Sequence, residues 1–311
     1  MLTGITLKVV SALVFTMMAG LVRWVGDTVP PGQVVFARSL FAMIPILIWL
    51  AWRSEIASAV RTRNVAGHLG RTFIGVGSMF LGFMALSRLP LTDAIAIGYA
   101  SPLITVVLAV LVLHERVRVY RWSAVGVGLV GVVVILWPHL AGGALAKAVS
   151  GTGEDAATAQ GALLALAGAF CTAGAMIQVR RLTQTESTAA IVFYFSAFST
   201  LLSLFTIPTG WVWPGVELAL VLVLIGCLGG VGQILLTKSY RYADASLIAP
   251  FEYTTILWAL MIGWIAFGDL PGPLVLAGAS IVVASGIFVI LRERQLGIER
   301  ARARKATPPP G

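Results

Sequence analysis

The sequence predicts an all-α polytopic membrane protein of ten transmembrane helices, arranged as two inverted five-helix repeats. Three observations support this fold class. The 311 residues are 58% hydrophobic and only 11% charged, a composition that soluble domains do not reach. The apolar residues fall into ten separate runs without the alternation of a membrane β-barrel. One segment of the sequence also occurs twice.

Each apolar run has the length of a membrane crossing, because a bilayer core about 30 Å thick requires roughly 20 apolar residues per helix. The first half contains runs at residues 4–25, 32–52, 68–87, 92–113 and 121–138. The first run carries Lys8 and no small-residue cleavage site, so we expect it to be retained as a helix. The second half contains runs at residues 159–179, 187–207, 216–237, 245–267 and 273–291.

A segment of the fourth run recurs in the ninth run, 154 residues later. Tyr99 corresponds to Tyr253, and the apolar stretches that follow end at Glu115 and at Asp269. Because five crossings per half is an odd number, the second copy must enter the membrane from the opposite side. Inverted repeats of this kind are characteristic of secondary transporters, which bind substrate near the midplane between the repeats.

The repeats divide the chain into four parts. We expect residues 1–140 to form the first repeat, 141–158 an outer linker, 159–298 the second repeat and 299–311 a basic cytoplasmic tail. The linker is rich in Gly, Ala, Ser and Thr, which predicts a flexible connection.

The basic residues predict the orientation. If the N-terminus is cytoplasmic, 18 of the 22 Lys and Arg residues fall in inner segments. They are Lys8, Arg53, Arg61, Arg63, Arg71, Arg116, Arg118, Arg121, Arg180, Arg181, Lys238, Arg241, Arg292, Arg294, Arg300, Arg302, Arg304 and Lys305. The positive-inside rule then predicts that both termini are cytoplasmic. The net charge of +9 indicates contact with anionic lipid headgroups at the inner face, and no nucleic acid is expected as a partner.

Sequence motifs give no support to an enzyme. Gly126, Gly128 and Gly131 match the letters of the dinucleotide-binding fingerprint, but they lie inside an apolar run without the strand or acidic residue that it requires. We interpret them as packing residues. Cys171 and Cys227 lie in different helices and form no metal motif. We therefore predict no catalytic residues, no metal site and no cofactor.

Ionisable residues inside the predicted helices are candidates for substrate contact, because they normally face a cavity or a partner. Glu252 lies about seven residues, or roughly 10 Å, into the ninth run. We expect Glu252 to handle substrate or protons, with a structural ion pair as the alternative. Arg38 lies at similar depth and has the same two interpretations. Glu252 and Tyr253 differ by about 100° on a helix, so only one of them is expected to face the cavity.

Other polar residues complete the predicted substrate site. Tyr99 and Tyr253 are equivalent in the two repeats, as are Met79 and Gln233, and Gln178 is a polar residue of the sixth run. We predict that these five residues contact the substrate. A buried tyrosine hydroxyl that only satisfies a neighbouring carbonyl is the alternative for the two tyrosines.

Prolines at matching positions predict broken helices near the midplane. Pro102 follows Tyr99, and Pro250 precedes Tyr253. Each proline removes a backbone hydrogen bond, so both helices are expected to be kinked there. Kinked helices in two inverted halves indicate the position of a binding site. Gly75 and Gly229 are a further equivalent pair.

The ends of the fourth and ninth runs resemble a known family. Leu111-Val112-Leu113-His114-Glu115-Arg116 and Ala249-Pro250-Phe251-Glu252-Tyr253 are similar to segments of EamA-type transporters in the drug/metabolite transporter superfamily. The resemblance covers residues 4–292, with Asp269 in place of the more usual Glu. It implies ten helices around a central cavity lined by helices 1, 3, 4, 6, 8 and 9. It also implies export of amino acids or similar metabolites from the cytoplasm, with the second half similar to bacterial exporters of aromatic and other hydrophobic amino acids.

We therefore expect a secondary transporter in the bacterial inner membrane that exports aromatic or other hydrophobic amino acids and related metabolites by alternating access, as a monomer. A multidrug or nucleotide-sugar carrier of the same fold is the alternative, although nucleotide sugars would require more cavity cations than Arg38 and Arg23 supply. The alternatives from a different class are an intramembrane enzyme and a channel. An enzyme requires a positioned nucleophile or metal set, and a channel usually shows a polar ring or oligomeric symmetry.

Overall fold

The computed structural model describes residues 2–114, 117–141, 156–242 and 249–306. Over these ranges the chain forms twelve α-helices and no strand. They are α1 (Leu2–Val25), α2 (Pro31–Trp52), α3 (Ile56–Val60), α4 (Val65–Leu86), α5 (Leu91–Gly98), α6 (Ala100–Leu113), α7 (Val119–Leu140), α8 (Ala156–Leu182), α9 (Thr188–Ser203), α10 (Val216–Tyr242), α11 (Thr254–Phe267) and α12 (Pro273–Ala306). Short 3₁₀ helices, Leu204–Thr209 and Ala249–Tyr253, follow α9 and precede α11.

These elements form ten crossings. Nine helical segments within the described ranges are long and apolar enough to span a membrane, and α5 and α6 together form one of them. The shorter apolar segment Phe251–Phe267, which contains α11, corresponds to the remaining crossing. The prediction of an all-α polytopic protein with two inverted five-helix repeats is therefore confirmed. The short α3, which connects the second and third crossings, was not predicted.

The fourth and ninth crossings are interrupted at equivalent residues. α5 gives way to α6 at Tyr99, and Pro102 lies in the first turn of α6, where a missing N–H is tolerated. In the second repeat, a 3₁₀ helix ends at Tyr253 and α11 begins at Thr254. The helices therefore break at the two tyrosines, while the prolines flank the breaks.

Two helices extend beyond the predicted bounds. α8 begins at Ala156, inside the predicted linker, and residues 142–155 of that linker lie outside the described residues. α12 continues to Ala306, through most of the predicted basic tail, because Arg, Lys, Glu and Ala all favour helix. Glu115, which the repeat pairs with Asp269, also lies outside the described residues.

Equivalent helix pairs join the two repeats. α1 packs along α10, and α4 packs along α8. α7 and α12 pack where Gly131 meets Gly278, and a Cβ added to either glycine would lie 2.8 or 2.6 Å from the carbonyl oxygen of the other. Gly128 is also closely packed, whereas a Cβ at Gly126 would have open space. The packing interpretation therefore holds for two of the three glycines in the dinucleotide-like motif.

The contact between α2 and α10 breaks the symmetry of the repeats. A Cβ added to Gly230 would lie 2.7 Å from the carbonyl oxygen of Ala42, so the missing side chain allows α2 to lie directly against α10. The equivalent pair, α9 and α4, makes a smaller contact. Val76 of α4 occupies the position equivalent to Gly230. The α2–α10 pair, here called the closed pair, is therefore packed more closely than the α4–α9 pair, here called the separated pair.

Candidate functional site

A cavity of about 400 Å³ lies among α2, α4, α8, α9 and α10, at the separated helix pair. A volume of this order suits a small metabolite. It is lined by Arg38, Ala42, Ile46, Arg71, Met176, Val179, Thr183, Ile191, Val192, Phe195, Ser196, Gly229, Gln233 and Leu236. The end of the bundle that carries α3 is here called the α3 end. The lining residues of α2 and α8 extend from the middle part of each helix towards this end.

Arg38 lies at the deeper part of the cavity. Its Nη1 is 3.7 Å from the sulfur of Met79, and its guanidinium carbon is 5.9 Å from the ring centre of Phe195. Its buried Nε has no hydrogen-bond partner among the described residues. Gly229 makes room for this side chain, since a Cβ there would lie 3.2 Å from Nε.

Arg71 is a second cavity arginine, although its position in the sequence predicts only a topological charge. Its guanidinium carbon lies 3.3 Å from the ring centre of Phe195. Its buried Nε and Nη1 have no hydrogen-bond partner within the described ranges. Gly75 accommodates it, because a Cβ there would lie 3.2 Å from Nη1. Gly75 is equivalent to Gly229, so each repeat places a glycine beside a cavity arginine. This repeated glycine was the feature of the sequence that could have identified Arg71 as a cavity residue.

The structure brings some of the predicted substrate residues together. Gln233 lines the cavity with Arg38, and its equivalent Met79 contacts the Arg38 guanidinium. Gln178 precedes the lining residue Val179 on α8 but is not itself a lining residue.

Tyr99 and Tyr253 form a separate cluster at the two helix breaks. Their ring centroids are 5.3 Å apart at 74°, an edge-to-face arrangement. The hydroxyl of Tyr99 is hydrogen-bonded to that of Thr255, and it lies 3.4 Å from the carbonyl oxygen of Tyr253. These contacts join the two repeats, and neither tyrosine lines the cavity that contains Arg38.

Glu252 forms an ion pair with Lys8 of α1. The Lys8 side chain is 2% exposed, and that of Glu252 is 52% exposed. Lys8 had been counted only as a topological charge, because an isolated lysine near a predicted helix start gives no signal of burial. The geometry is that of the structural ion pair, which was the alternative interpretation of Glu252.

Contacts between basic and acidic side chains connect elements at the end opposite α3. Arg23 of α1 forms an ion pair with Asp269, which follows α11. His139 Nε2 lies 3.1 Å from Oδ2 of Asp93, whose side chain is buried. Asp93 is thus a buried carboxylate that the sequence does not reveal, because it lies at a predicted helix start.

Proteins similar to this chain are named as transporters of small molecules. The pseudopaline exporter CntI of Pseudomonas aeruginosa is 29% identical over 288 residues, covering 92% of this chain and 95% of that protein. The riboflavin transporter of Vibrio cholerae is 29% identical over 262 residues, covering 84% and 83%. The S-adenosylmethionine uptake transporter of Rickettsia prowazekii is 27% identical over 279 residues, covering 88% and 87%.

A solved crystal structure has the same fold. It superposes with a TM-score of 0.63 at 20% sequence identity, covering 94% of this chain and 98% of that chain. The EamA-like transporter family matches residues 2–137 and 159–292, which correspond to the two five-helix repeats. The family name indicates a membrane transporter. This chain belongs to the EamA-like transporter family.

Proposed function

We propose that this protein exports amino acids and related small metabolites across the bacterial inner membrane by alternating access. The observation that carries the proposal is the cavity at the separated α4–α9 pair, beside a closed equivalent pair, α2 and α10. In an inverted repeat, exchanging the closed and separated pairs would move the opening to the other side of the membrane.

The contacts between repeats at the end opposite α3 support a one-sided cavity. Gln33 of α2 donates to the carbonyl oxygen of Val212 at 2.8 Å and accepts from its N–H at 3.0 Å. The ion pair of Arg23 and Asp269 is a second connection there. These contacts would have to break for the cavity to open at that end.

The α3 end is assigned to the cytoplasm. Arg53, Arg61, Arg63 and Arg180 lie near the helix termini at this end, and the positive-inside rule places such residues in the cytoplasm. Both termini are then cytoplasmic, the basic face meets anionic headgroups, and the cavity loads from inside, as export requires. Both repeats are contained in one chain, which supports a monomer.

The lining supports an amphipathic solute. Phe195, Met176 and Ile46 offer apolar contacts, while Arg38 and Gln233 can bind a carboxylate and an amino group. Tyr99, Tyr253 and Glu252, which lie outside the lining, are assigned to holding the repeats together. Gln178 is proposed to contact the substrate only in the alternate state, in which α8 would turn relative to α4.

Uptake by proteoliposomes tests the proposal. The purified protein is reconstituted, and radiolabelled aromatic, branched and acidic amino acids are offered with and without an imposed pH gradient. Saturable uptake that exceeds protein-free liposomes is expected for at least one of these classes. Equal uptake of every tested amino acid by proteoliposomes and by protein-free liposomes would contradict the assignment of amino acids as substrates.

A further inference from the structure

Two arginines share one cavity wall at membrane depth. The guanidinium carbons of Arg71 and Arg38 lie 3.3 and 5.9 Å from the ring centre of Phe195. Like charges in this proximity repel each other, and an ionised side chain inside a span normally has a partner of opposite charge.

No carboxylate provides that partner within the described residues. The lining residues include no Asp or Glu, and the ion pairs of the described chain involve neither Arg38 nor Arg71. Each arginine also has a buried Nε without a hydrogen-bond partner. The cavity thus holds two positive charges that no carboxylate among the described residues balances.

Nearby acidic and basic residues do not reverse this imbalance. Glu186, just before α9, accepts from the N–H of Arg63 at 2.9 Å and lies 3.7 Å from His68. Glu55 is paired with Arg53 at the same end of the bundle, so this carboxylate does not balance the cavity arginines either. A cleft lined by one sign of charge concentrates ions of the other sign.

We propose that the cavity selects organic anions in which carboxylate groups outnumber ammonium groups. The inference rests on the proposed transport function and narrows its substrate class from amino acids in general to acids with net negative charge. Arg38 and Arg71 donate to the carboxylates, and Phe195 contacts the apolar part of the solute.

Competition binding tests this selectivity. Full-length protein in phosphatidylcholine nanodiscs is incubated with radiolabelled phenylsuccinate, and unlabelled phenylsuccinate, L-phenylalanine and L-phenylalaninamide compete. These probes share one ring and are a dianion, a zwitterion and a cation. We expect phenylsuccinate to bind at least about tenfold more tightly than phenylalanine, and phenylalaninamide to compete least. Equal competition by phenylalaninamide would overturn the inference.

Substitutions identify the residues responsible. Arg38→Gln and Arg71→Gln should each weaken phenylsuccinate binding about tenfold or more, whereas Arg53→Gln, at the residue that follows α2 and is paired with Glu55, should not. Without ligand, Arg71→Gln should unfold at a higher temperature than the wild type, because one of two repelling buried charges is gone. Wild-type binding by both cavity variants, or a lower unfolding temperature with unchanged relative affinities, would contradict the assignment.

Two further comparisons separate the possible sources of the anion and the two proposals. If phosphatidylglycerol in the nanodiscs displaces phenylsuccinate equally from the wild type and from Arg53→Gln, the cavity arginines hold a lipid headgroup, and the solute inference fails. If the probes bind with the expected order but none is taken up by proteoliposomes, the anion site stands and the transport proposal fails. If phenylalanine is taken up and its uptake is unaffected by Arg38→Gln and Arg71→Gln, the transport proposal stands and the anion-site inference fails.

Discussion

Lys8 of the first repeat and Glu252 of the second form an ion pair in which the ammonium group is buried and the carboxylate is half-exposed. Removing the Glu252 carboxylate leaves the positive charge of Lys8 buried without this carboxylate. Removing the Lys8 ammonium leaves the negative charge of Glu252 half-exposed to water. We therefore expect Glu252→Gln to destabilise the fold more than Lys8→Met, by about 1–2 kcal/mol once solvent screening of the exposed carboxylate is considered.

Thermal unfolding of the two single variants and of the combined Lys8→Met, Glu252→Gln variant measures this difference. The combined variant should be more stable than Glu252→Gln alone, because it no longer contains the buried ammonium group whose carboxylate partner was removed. Equal destabilisation by both single changes, with simple additivity, would show that the pair contributes nothing.

Proton handling by Glu252, which the sequence predicts, can be tested separately from its role in the ion pair with Lys8. If its carboxylate carries the coupled proton, the combined Lys8→Met, Glu252→Gln variant should transport at a rate that no longer depends on an imposed pH gradient. Proteoliposome uptake at several gradients measures this dependence. A gradient response equal to that of the wild type would exclude Glu252 from coupling.

The glycines of the dinucleotide-like motif provide a matched comparison. Gly131→Ala should destabilise the protein by about 1–3 kcal/mol, because its Cβ would meet the backbone of Gly278 and α7 would have to move from α12. Gly126→Ala adds the same methyl group to open space on the same helix. Denaturation of the two variants should separate them clearly, and equal stability would contradict the close α7–α12 contact.

The closed α2–α10 pair is tested in the same way. A Cβ at Gly230 would meet backbone atoms of Ala42, whereas a Cβ at Gly229 would meet the side chains of Arg38 and Met18. Because side chains move more easily than helices, Gly230→Ala should cost about 1–3 kcal/mol and Gly229→Ala less. Thermal unfolding of these adjacent variants provides the measurement. A greater loss in Gly229→Ala would mean that the helices are not in direct contact.

The hydroxyls of Tyr99 and Thr255 join the two broken crossings. Tyr99→Phe should cost about 1 kcal/mol, the net value of a typical hydrogen bond. Thr255→Val should cost less in the Tyr99→Phe background than in the wild type, because the two hydroxyls are partners, and the remaining cost is the hydrogen bond that Thr255 donates to the carbonyl oxygen of Glu252 at 2.8 Å. Fully additive losses in the unfolding free energy would show that the hydroxyl–hydroxyl contact contributes nothing.

Sequence reasoning predicted the crossings and their duplication because apolar length and repeat spacing are local or periodic signals. It also indicated the breaks beside Pro102 and Pro250, since proline acts on its own turn of helix. The extension of α12 to Ala306 was missed because charge, rather than helix propensity, was used to assign the tail.

The candidate site was less accessible to such reasoning because partners distant in sequence determine it. Arg38 and Gln233 were identified as polar residues in apolar runs, and both line the cavity. Arg71 and Lys8 lie near predicted helix starts, where basic residues usually mark topology. Only the fold reveals that Arg71 faces Phe195 of the other repeat and that Lys8 meets Glu252.

Thiol accessibility tests the central claim, that substrate occupies the cavity at the separated helix pair. Val192 lines this cavity, whereas Leu201 of the same helix is 58% exposed on the outside of the bundle. With Cys171 and Cys227 replaced by serine, Val192→Cys and Leu201→Cys are treated with a membrane-impermeant thiol reagent in inside-out vesicles. We predict that Val192→Cys reacts, that a transported solute protects it, and that Leu201→Cys is unaffected by solute. Reaction of Val192→Cys at the same rate with and without a solute that the variant transports would contradict the account.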